Sequence, residues 1–484
     1  MTFKGNLLII GLGAISKCTL PLIFRHIDLR PQNVVLMDFK ECPAWAQFAL
    51  DKGATFVRER ITQENYETLL SRYVGKGDII VDLAWDIDTC AMLDWCYRNG
   101  VRYLNTSVEV WDPYTGTAET SVTERTLYAR QMRIRRMIRS WPEPKGPTAV
   151  LEHGANPGLV SHLTKDALVD IASKTLTDNP QPSARNDDLR DALRRQDFAK
   201  LAQLTGVKSI HISERDTQIS NRPKEVNEFV NTWSVDGLHE EGIAPAEMGW
   251  GTHEKALPPN AMIHQGGPGN QICMAQMGYR TLVRSWVPCG EIVGMVIRHG
   301  ESFSISEHLT VWEDGMPIYR PTVHYAYLPC DAALASLWEL EMRGYHRLQE
   351  KKRIMTDEII DGKDELGCLL MGHDYKFWWT GSLLDIHESR QLAPHNNATV
   401  LQVAAPAVAA FIWLIKNPLE GVCLPDDLPY KEILDFTKPY LGPYKSMPVD
   451  WTPLYTKRDL FTKFVGGEPQ PEDVWQFNTF LVKP

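Results

Sequence analysis

The sequence predicts an α/β fold in which a doubly wound, parallel sheet is joined to a second α+β domain with a mainly antiparallel sheet. Three observations lead to this prediction. Residues 6–26, NLLIIGLGAISKCTLPLIFRH, form an apolar stretch that ends in glycines and continues into a helical pattern. Strand and helix patterns then alternate up to residue 105, and from residue 207 onward strand patterns dominate.

The glycine turn after the first strand is a candidate dinucleotide-binding turn. Gly11 would make the tight turn, Gly13 would let a diphosphate approach the helix start, and Ser16 replaces the usual third glycine. A second apolar strand, residues 33–37, ends in Asp38, whose carboxylate would bind ribose hydroxyls and repel a 2′-phosphate, although Lys40 is close. We therefore predict a Rossmann-like domain that prefers NAD to NADP. Cofactor contacts are expected from Gly11, Gly13, Ala14, Ile15, Asp38, Ala84, Thr106 and Asn156.

The elements that follow fit the same sheet. Strands are predicted at 55–61, 78–83 and 101–105, and helices at 63–73 and 88–99. Because ligands bind beyond the carboxyl ends of parallel strands, residues 82–85 and 105–109 should line the cofactor crevice. Glu109 is an acid at this edge, and it either belongs to the site or caps or pairs with a nearby lysine.

A basic helix and a glycine-proline turn mark the end of the first domain. Residues 117–139 are predicted to be helical, and their arginines at 125, 130, 133, 135, 136 and 139 are expected to face solvent. A short strand at 149–152 then leads into HGANPG, residues 153–158, a turn that brings backbone close to a ligand and contains Asn156. We place the hinge into the second domain at this turn.

Strand patterns dominate the second domain. One of them leads to Glu214, and residues 231–242 carry Trp233 and Glu241 in a stretch that mixes alternation with turn residues. Further strands are predicted at 281–287, 292–298 and 303–311, with a hairpin turn at 299–302 between the last two, and at 367–371 and 377–384, just after Asp364. Residues 397–416 form an apolar helix that should pack back on the first domain, and the tail after it should wrap the surface. The predicted domains are 1–153 for NAD, 154–395 for substrate and dimerisation, and 396–484 for this helix and tail.

Composition excludes several classes of protein. The 484 residues include 51 lysines and arginines against 61 acids, a net charge of −10, which disfavours nucleic-acid and anionic-membrane partners and suits cationic ligands. Nine scattered cysteines, without a CxxC pair or a zinc spacing, indicate reduced thiols in a cytoplasmic protein and no metal site. We find no signal peptide and no apolar run that approaches the ~20 residues of a membrane span.

These motifs together resemble one family closely. GLGAIS, the TLPL helix, Asp38, GANPG, the series Glu214, Trp233 and Glu241, HGES and the terminal FNTFLV are similar to those of bacterial homospermidine synthases, within the saccharopine-dehydrogenase-like enzymes. The resemblance covers nearly the whole chain. It implies a homodimer that uses NAD to couple two putrescines, or putrescine and spermidine, into sym-homospermidine with release of ammonia or diaminopropane.

The residues agree chemically with that reaction. A diamine is a dication, so its site needs carboxylates and an electron-rich ring, while hydride abstraction needs one amine made neutral. His299 has an ordinary pKa near neutrality and is a candidate proton acceptor, and Asn156 could orient the amine. By resemblance, Trp233 is the cation–π residue, and the site is formed by Glu109, Asn156, Glu214, Trp233, Glu241, His299 and Asp364.

Each assignment has a plainer alternative. A tryptophan is more often packing than ligand, and His299 in a turn would ordinarily be a solvated residue, with the histidines at 153, 264, 308, 373 and 395 having equal claims. Two other functions stay open. One is a saccharopine or carboxynorspermidine dehydrogenase, whose substrate carboxylate would need an arginine such as Arg215 or Arg298. The other is a non-catalytic NAD-binding sensor, which would need no carboxylate cluster.

Overall fold

The computed structural model describes residues 1–114, 119–143, 145–454 and 474–482. The described chain folds around two large sheets, one parallel and one mixed. Smaller two-stranded pairings join Thr2–Phe3 to Asp28–Leu29, Ile219–Ser220 to Ile359–Asp361, Glu228–Asn231 to Lys351–Ile354, and Val311–Glu313 to Met316–Tyr319.

The first sheet is parallel throughout the described strands. Its strands, in spatial order, are Val422–Cys423, Ala149–Val150, Arg102–Asn105, Ile79–Asp82, Leu7–Ile10, Val34–Asp38 and Thr55–Arg58. All four residues of Leu7–Ile10 are buried, as expected for a strand covered on both faces. The strand order reverses direction between Leu7–Ile10 and Ile79–Asp82, so the ligand crevice of this confirmed Rossmann-like sheet lies there.

The second sheet has ten described strands and is mostly antiparallel, which confirms the predicted fold class. The main path runs Ala261–Ile263, Gln271–Met277, Pro245–Gly249, Thr322–Leu328, Ser209–Asp216, Lys363–Met371, Phe377–Asp385 and Tyr444–Val449. The hairpin Leu282–Val287 and Gly290–Met295 pairs onto Thr322–Leu328. The one parallel pair of this path joins Thr322–Leu328 to Ser209–Asp216.

Helices cover both sheets. The described helices are Ala14–His26, Gln47–Asp51, Tyr66–Leu70, Thr89–Asn99, Leu127–Ser140, Leu159–Asp178, Ala184–Arg195, Phe198–Thr205, Val235–Ile243, Gly300–His308, Asp331–Met342, Ile386–Leu392, Ala398–Lys416, Tyr430–Thr437 and Phe477–Phe480.

The apolar helix Ala398–Lys416 packs against the first helix, Ala14–His26, in one hydrophobic cluster. Asn397 caps it by accepting a hydrogen bond from the Val400 N–H at 2.8 Å. Its length and mean hydropathy of 2.0 would suffice to cross a membrane, which corrects the expectation that no apolar run approaches that length. Because 83% of the apolar window is buried inside the protein, it is a core helix here.

Two segments expected as strands or turns are helices. Residues 235–243 form a helix because Ser234 caps it, accepting a hydrogen bond from the Gly237 N–H at 3.0 Å. Residues 300–308 form another, so the expected hairpin turn at 299–302 and strand at 303–311 are wrong. The alternating FSIS pattern misled the sequence interpretation because residues 300–306 are buried on every side, where period no longer distinguishes helix from strand.

The tail also differs from the expected surface wrap. Within the expected tail at residues 425–484, Tyr444–Val449 extends the second sheet, and Phe477 and Phe480 are buried in the core. Just before it, Val422–Cys423 extends the first sheet. Much of the expected tail, residues 455–473 and 483–484, lies outside the described residues.

The basic helix begins later than predicted, at Leu127, and residues 115–118 lie outside the described residues. The expectation that its arginines face solvent is wrong for two of them. Arg130 binds Glu240 and Arg135 binds Glu307, because each of these acids is held on a neighbouring element that faces the helix, whereas Arg133 stays exposed while it binds Asp88.

Candidate active site

A cavity of about 200 Å³ lies at the carboxyl edge of the first sheet, where the second sheet faces it. It gathers many of the residues predicted for the site: Ile15, Ala84, Thr106, Glu109, Asn156, Glu214, Trp233, Glu241 and His299. Gly11, Gly13, Ala14, Asp38 and Asp364 do not line it. The first four belong to the neighbouring glycine turn and the strand end beside it.

The glycine turn has the shape of a diphosphate cradle. Gly11 has φ +84°, and a Cβ atom there would lie 2.7 Å from the Ala84 backbone nitrogen, so only glycine fits between the two strand ends. Gly13 precedes the first helix without a side-chain cap, and a Cβ atom there would meet nothing within 4 Å. Ser16, in place of the third glycine, is buried and donates a hydrogen bond to the Gly11 carbonyl. The exposed N–H groups at this helix start fit an anionic diphosphate.

Asp38 lies beside this turn. Its Oδ2 accepts the Leu12 N–H at 2.7 Å and its Oδ1 accepts the Lys40 N–H at 2.8 Å, so the carboxylate is fixed at the turn while keeping free lone pairs. The residues present therefore fit the adenosine ribose and diphosphate of a dinucleotide.

Glu214 is the centre of the substrate side of the cavity. It is almost fully buried, and its Oε2 accepts hydrogen bonds from Asn156 Nδ2 at 3.0 Å and from the Tyr325 hydroxyl. Asn156 is positioned by the turn it begins, in which the Asn156-Pro157 peptide is cis. Burial raises the pKa of Glu214 to about 7, against the opposing effects of Tyr325 and His299.

His299 lies between two carboxylates. Its Nε2 is 3.0 Å from Glu241 Oε2, its Nδ1 is 3.4 Å from Glu301 Oε1, and its ring lies 4.4 Å from the Tyr325 ring. Burial alone would lower its pKa, but Glu301 and Glu241 together raise the pKa of His299 well above its ordinary value. The structure thus makes His299 an imidazolium, which differs from the expected titration near neutrality because both acids sit in a site with little solvent.

Two arginines in the cavity wall are already paired. Glu240 Oε1 binds both Arg130 Nη2, at 2.6 Å, and Arg298 Nη2, while its Oε2 accepts the Trp85 Nε1–H at 3.0 Å. Although burial opposes it, these arginines lower the pKa of Glu240 to about 2. Arg215 does not line the cavity. An arginine clamp for a substrate carboxylate is therefore not provided by the residues that the sequence suggested.

Glu109 faces the same cavity from the first sheet. It pairs with Arg130, whose Nη1 lies 3.9 Å from its Oε2, and not with a lysine, and burial together with Glu240 raises the pKa of Glu109 to about 7. It is therefore a carboxyl whose proton is easily gained or lost near neutral pH.

Trp233 presents its ring to the cavity while its indole nitrogen is anchored. Nε1 donates to the Tyr327 hydroxyl at 2.9 Å, and Tyr327 stacks on Tyr325 with ring centroids 5.1 Å apart. The ring rests against Gly237, where a Cβ atom would lie 2.9 Å from Cζ3. The same side chain is thus both a packing element and a wall of the cavity.

Asp364 lies one layer behind the cavity. It is fully buried, its Oδ2 accepts a hydrogen bond from Thr399 Oγ1 at 2.6 Å, and it pairs across the sheet with Asp216. Burial, together with Glu214 and Asp216, raises the pKa of Asp364 well above its ordinary value. It could act on the cavity only through Thr399, which lines it, or through the charge of Glu214.

Sequence reasoning missed several cavity residues. Glu240 adjoins Glu241, Tyr325 alternates with Tyr327 on one strand face, and Glu152 directly precedes HGANPG. The adjacent acids and the two tyrosines at a spacing of two residues could have indicated Glu240 and Tyr325 from the sequence. Nothing in the sequence points to Arg130 as a cavity residue or to the proximity of Glu152 and His299. Among the described residues, no cluster of three or more histidines, cysteines and acids is placed to hold a metal ion.

Comparisons with known proteins match the whole chain. Residues 7–150 match the model of the saccharopine dehydrogenase NADP binding domain, and residues 154–448 match that of the saccharopine dehydrogenase C-terminal domain. A homospermidine synthase of Blastochloris viridis is 39% identical over 99% of this chain and 98% of that protein, and one of Mesorhizobium japonicum is 38% identical over 99% and 96%. The crystal structure of a homospermidine synthase from Legionella pneumophila in complex with NAD is 36% identical, with a TM-score of 0.86 over 100% of this chain and 99% of that one.

Proposed function

We propose that this chain, which belongs to the homospermidine synthase family within the saccharopine dehydrogenases, joins two putrescines into sym-homospermidine and releases ammonia. Putrescine with spermidine, releasing diaminopropane, is an alternative substrate pair. The observation that carries the proposal is the cavity itself. Glu109, Glu214 and Glu241 face it beside the Trp233 ring, while both nearby arginines are held by Glu240.

The glycine turn would hold the cofactor. Gly11 and Gly13 leave the helix start open for the diphosphate, and Asp38 would bind the ribose hydroxyls. Ile15, Ala84 and Thr106 connect this turn to the cavity. When bound, NAD would accept a hydride from a carbon of the first diamine and return one to the coupled imine, which becomes the product amine.

The carboxylates bind the ammonium ends of the diamines. Trp233 supplies a ring face to the substrate cation, and Glu241 supplies charge near the mouth, where it is 25% exposed. Glu109 supplies a carboxyl from the first sheet, and Asp364 supports the site from the layer behind, where its Oδ2 accepts the Thr399 hydroxyl. This arrangement favours a dication over an amino acid.

Glu214 accepts the proton that makes one amine neutral. Its pKa of about 7 suits a base at neutral pH. Asn156 and Tyr325 both donate to Oε2 and fix the carboxylate, so its other oxygen is left to accept a proton from the cavity. His299, already charged, then acts as an electrostatic partner of Glu241. We therefore assign the role of proton acceptor to Glu214 and not to His299, the candidate that the sequence suggested.

Enclosure protects the imine. Water would hydrolyse an iminium to an aminoaldehyde, so the second amine must be held close while water is kept out. Glu214, His299 and Tyr325 are all buried, which limits water on this side of the cavity. The same hydride can therefore be returned before the intermediate is lost.

We also propose a cytoplasmic homodimer. All nine cysteines are free thiols, which suits a reducing compartment. An exposed apolar hairpin, with Trp312, Met316 and Ile318, is the kind of surface that a second copy would cover. Light scattering of the purified protein measures the oligomer directly.

The product analysis tests the function. Purified protein is incubated with putrescine and substoichiometric NAD, and amines and ammonia are quantified. We expect homospermidine and ammonia in equal amounts, many turnovers per NAD and no sustained rise in NADH absorbance. Steady NADH formation that matches the amine consumed would identify an amine dehydrogenase instead, and NAD binding without any amine conversion would leave only a sensor.

A further inference from the structure

Two buried acids lie behind His299, and the proposed function uses neither. Glu301 is 0% exposed and Glu152 is 2% exposed. Glu301 lies in the first turn of the helix Gly300–His308, whose N-cap residue is His299, and Glu152 packs against that turn at Gly300. Ionisable side chains are rarely buried so completely without a partner that keeps them there.

Glu301 is aimed at His299. Its Oε1 lies 3.4 Å from His299 Nδ1, and within the described part of the chain neither carboxylate oxygen makes a hydrogen bond. A buried carboxylate without hydrogen bonds is costly unless it faces a charge. The contact with His299 is therefore an ion pair, on the ring nitrogen opposite the one that faces Glu241.

Glu152 lies on the other side of the same helical turn. Its carboxylate packs so closely on Gly300 that a Cβ atom at position 300 would collide with it, and its Oε2 accepts a hydrogen bond from Gln131 Nε2 at 2.7 Å. The backbone of Glu152 is left-handed, with φ +56°, and its N–H is held by Asn105 Oδ1 at 2.8 Å. A strained, buried acid that lines a cavity is more often retained for a site than for packing.

We propose that Glu301 is a positioning residue that keeps His299 charged and turned toward Glu241. The charged ring in turn keeps Glu214 ready to take up a proton from substrate. The inference rests on the proposed role of Glu214 as proton acceptor.

Among the described residues, the titratable groups that face His299 agree with this order of charges. Glu241 comes from the helix Val235–Ile243, Glu301 from the helix of His299 itself, and Glu214 and Tyr325 from the second sheet. The His299 charge lowers the pKa of Glu214, against the larger effect of burial. Burial and then Glu301 raise the pKa of Glu152 to about 8, so Glu152 is neutral at pH 7 and does not add a second negative charge.

The decisive variant is Glu301→Gln, because the two explanations of Glu301 predict opposite shifts of the pKa on the acid limb of kcat/KM. If Glu301 acts through His299, its loss leaves the ring neutral, and the pKa on the acid limb of kcat/KM rises by about one unit. At pH 7 the ionised share of Glu214 then falls from about one half to about one tenth, a loss of about five-fold in kcat/KM that disappears above pH 9. If Glu301 were only a nearby negative charge, its removal would lower that pKa. An acid limb that stays in place or moves down overturns the proposal.

The matched control is Glu307→Gln on the same helix, which removes a carboxylate that binds Arg135 and does not touch His299. Its acid limb should coincide with that of the unmodified enzyme. A shift equal to that of Glu301→Gln would mean that any charge removed from this helix has the same effect.

A second measurement needs no turnover and remains valid if Glu301→Gln does not fold. With histidines labelled in nitrogen-15, and the His299 signal assigned by its loss in His299→Asn, NMR should show a doubly protonated ring at pH 8 in the unmodified protein. A neutral His299 ring at pH 7 overturns the proposal even if homospermidine is made, whereas a charged ring without amine conversion overturns the proposed function alone.

For Glu152→Gln, we expect the fall in thermal midpoint between pH 7 and pH 9 to be smaller than in the unmodified protein, and an identical fall would refute the protonated state of Glu152.

Discussion

Trp233 offers the sharpest test because the structure gives it two separable roles. The ring faces the cavity, and Nε1 donates to the hydroxyl of the fully buried Tyr327 at 2.9 Å. The ring role contributes on the order of 0.5–2 kcal/mol, which corresponds to about 2-fold to 30-fold in kcat/KM. The hydrogen bond affects stability, since an unpartnered buried hydroxyl costs about 1–3 kcal/mol.

Three variants separate these roles. Trp233→Phe keeps an aromatic face and should retain part of the activity, but it should lose stability through the Tyr327 hydroxyl. Trp233→Ala should lose most of the activity. The matched control Tyr327→Phe removes the hydrogen bond and leaves the Trp233 ring, so its kcat/KM for putrescine should change little.

The assay is homospermidine formation under initial-rate conditions, together with the free energy of unfolding in urea. A sequence-based view would expect little change in thermal stability, whereas the hydrogen bond to Tyr327 predicts a measurable loss in Trp233→Phe. If Trp233→Ala mainly unfolds the protein, with the ~3–5 kcal/mol typical of a buried aromatic, and the folded fraction keeps its kcat/KM, the cation–π role is refuted.

Three further predictions concern charge. Titration should show tighter binding of NAD than of NADP because Asp38, held by the Leu12 and Lys40 N–H groups, repels a 2′-phosphate. Asp38→Ser should reduce the difference between the two affinities, and equal affinities in the unmodified protein would contradict this prediction. Arg298→Met should destabilise the fold by up to about 3 kcal/mol in urea unfolding, because it removes one of two cations from the buried Glu240, whereas Arg215→Met outside the cavity should cost much less. The thermal midpoint without ligand should fall between pH 5 and pH 8, because burial raises the pKa values of Glu109 and Glu214 to about 7 and of Glu152 to about 8. The stability that these acids contribute is present below their pKa in the unfolded chain and is lost as the pH rises through their pKa in the folded protein. A flat profile would show that they are ionised in the folded protein.

Local chemistry made the cofactor half of the protein predictable. The Gly11 turn, Asp38 at a strand end and the alternation up to Asn105 are signals within a few residues of one another, and the structure confirms the sheet that they predict. The apolar run at residues 397–416 likewise predicted a helix, which the structure has at Ala398–Lys416. These features depend on backbone geometry and short-range periodicity, which a sequence carries directly.

The substrate half depended on tertiary structure. His299 was expected in an exposed turn, yet it begins a buried helix, because alternation carries no information where every face is covered. Glu240 and Glu241 are adjacent in sequence but differ in environment: two arginines from distant elements hold the first ionised, and His299 faces the second. A pKa depends on burial and on charges within a few ångströms, so only the fold decided which acid pairs with arginine, which faces the cavity and which has a raised pKa.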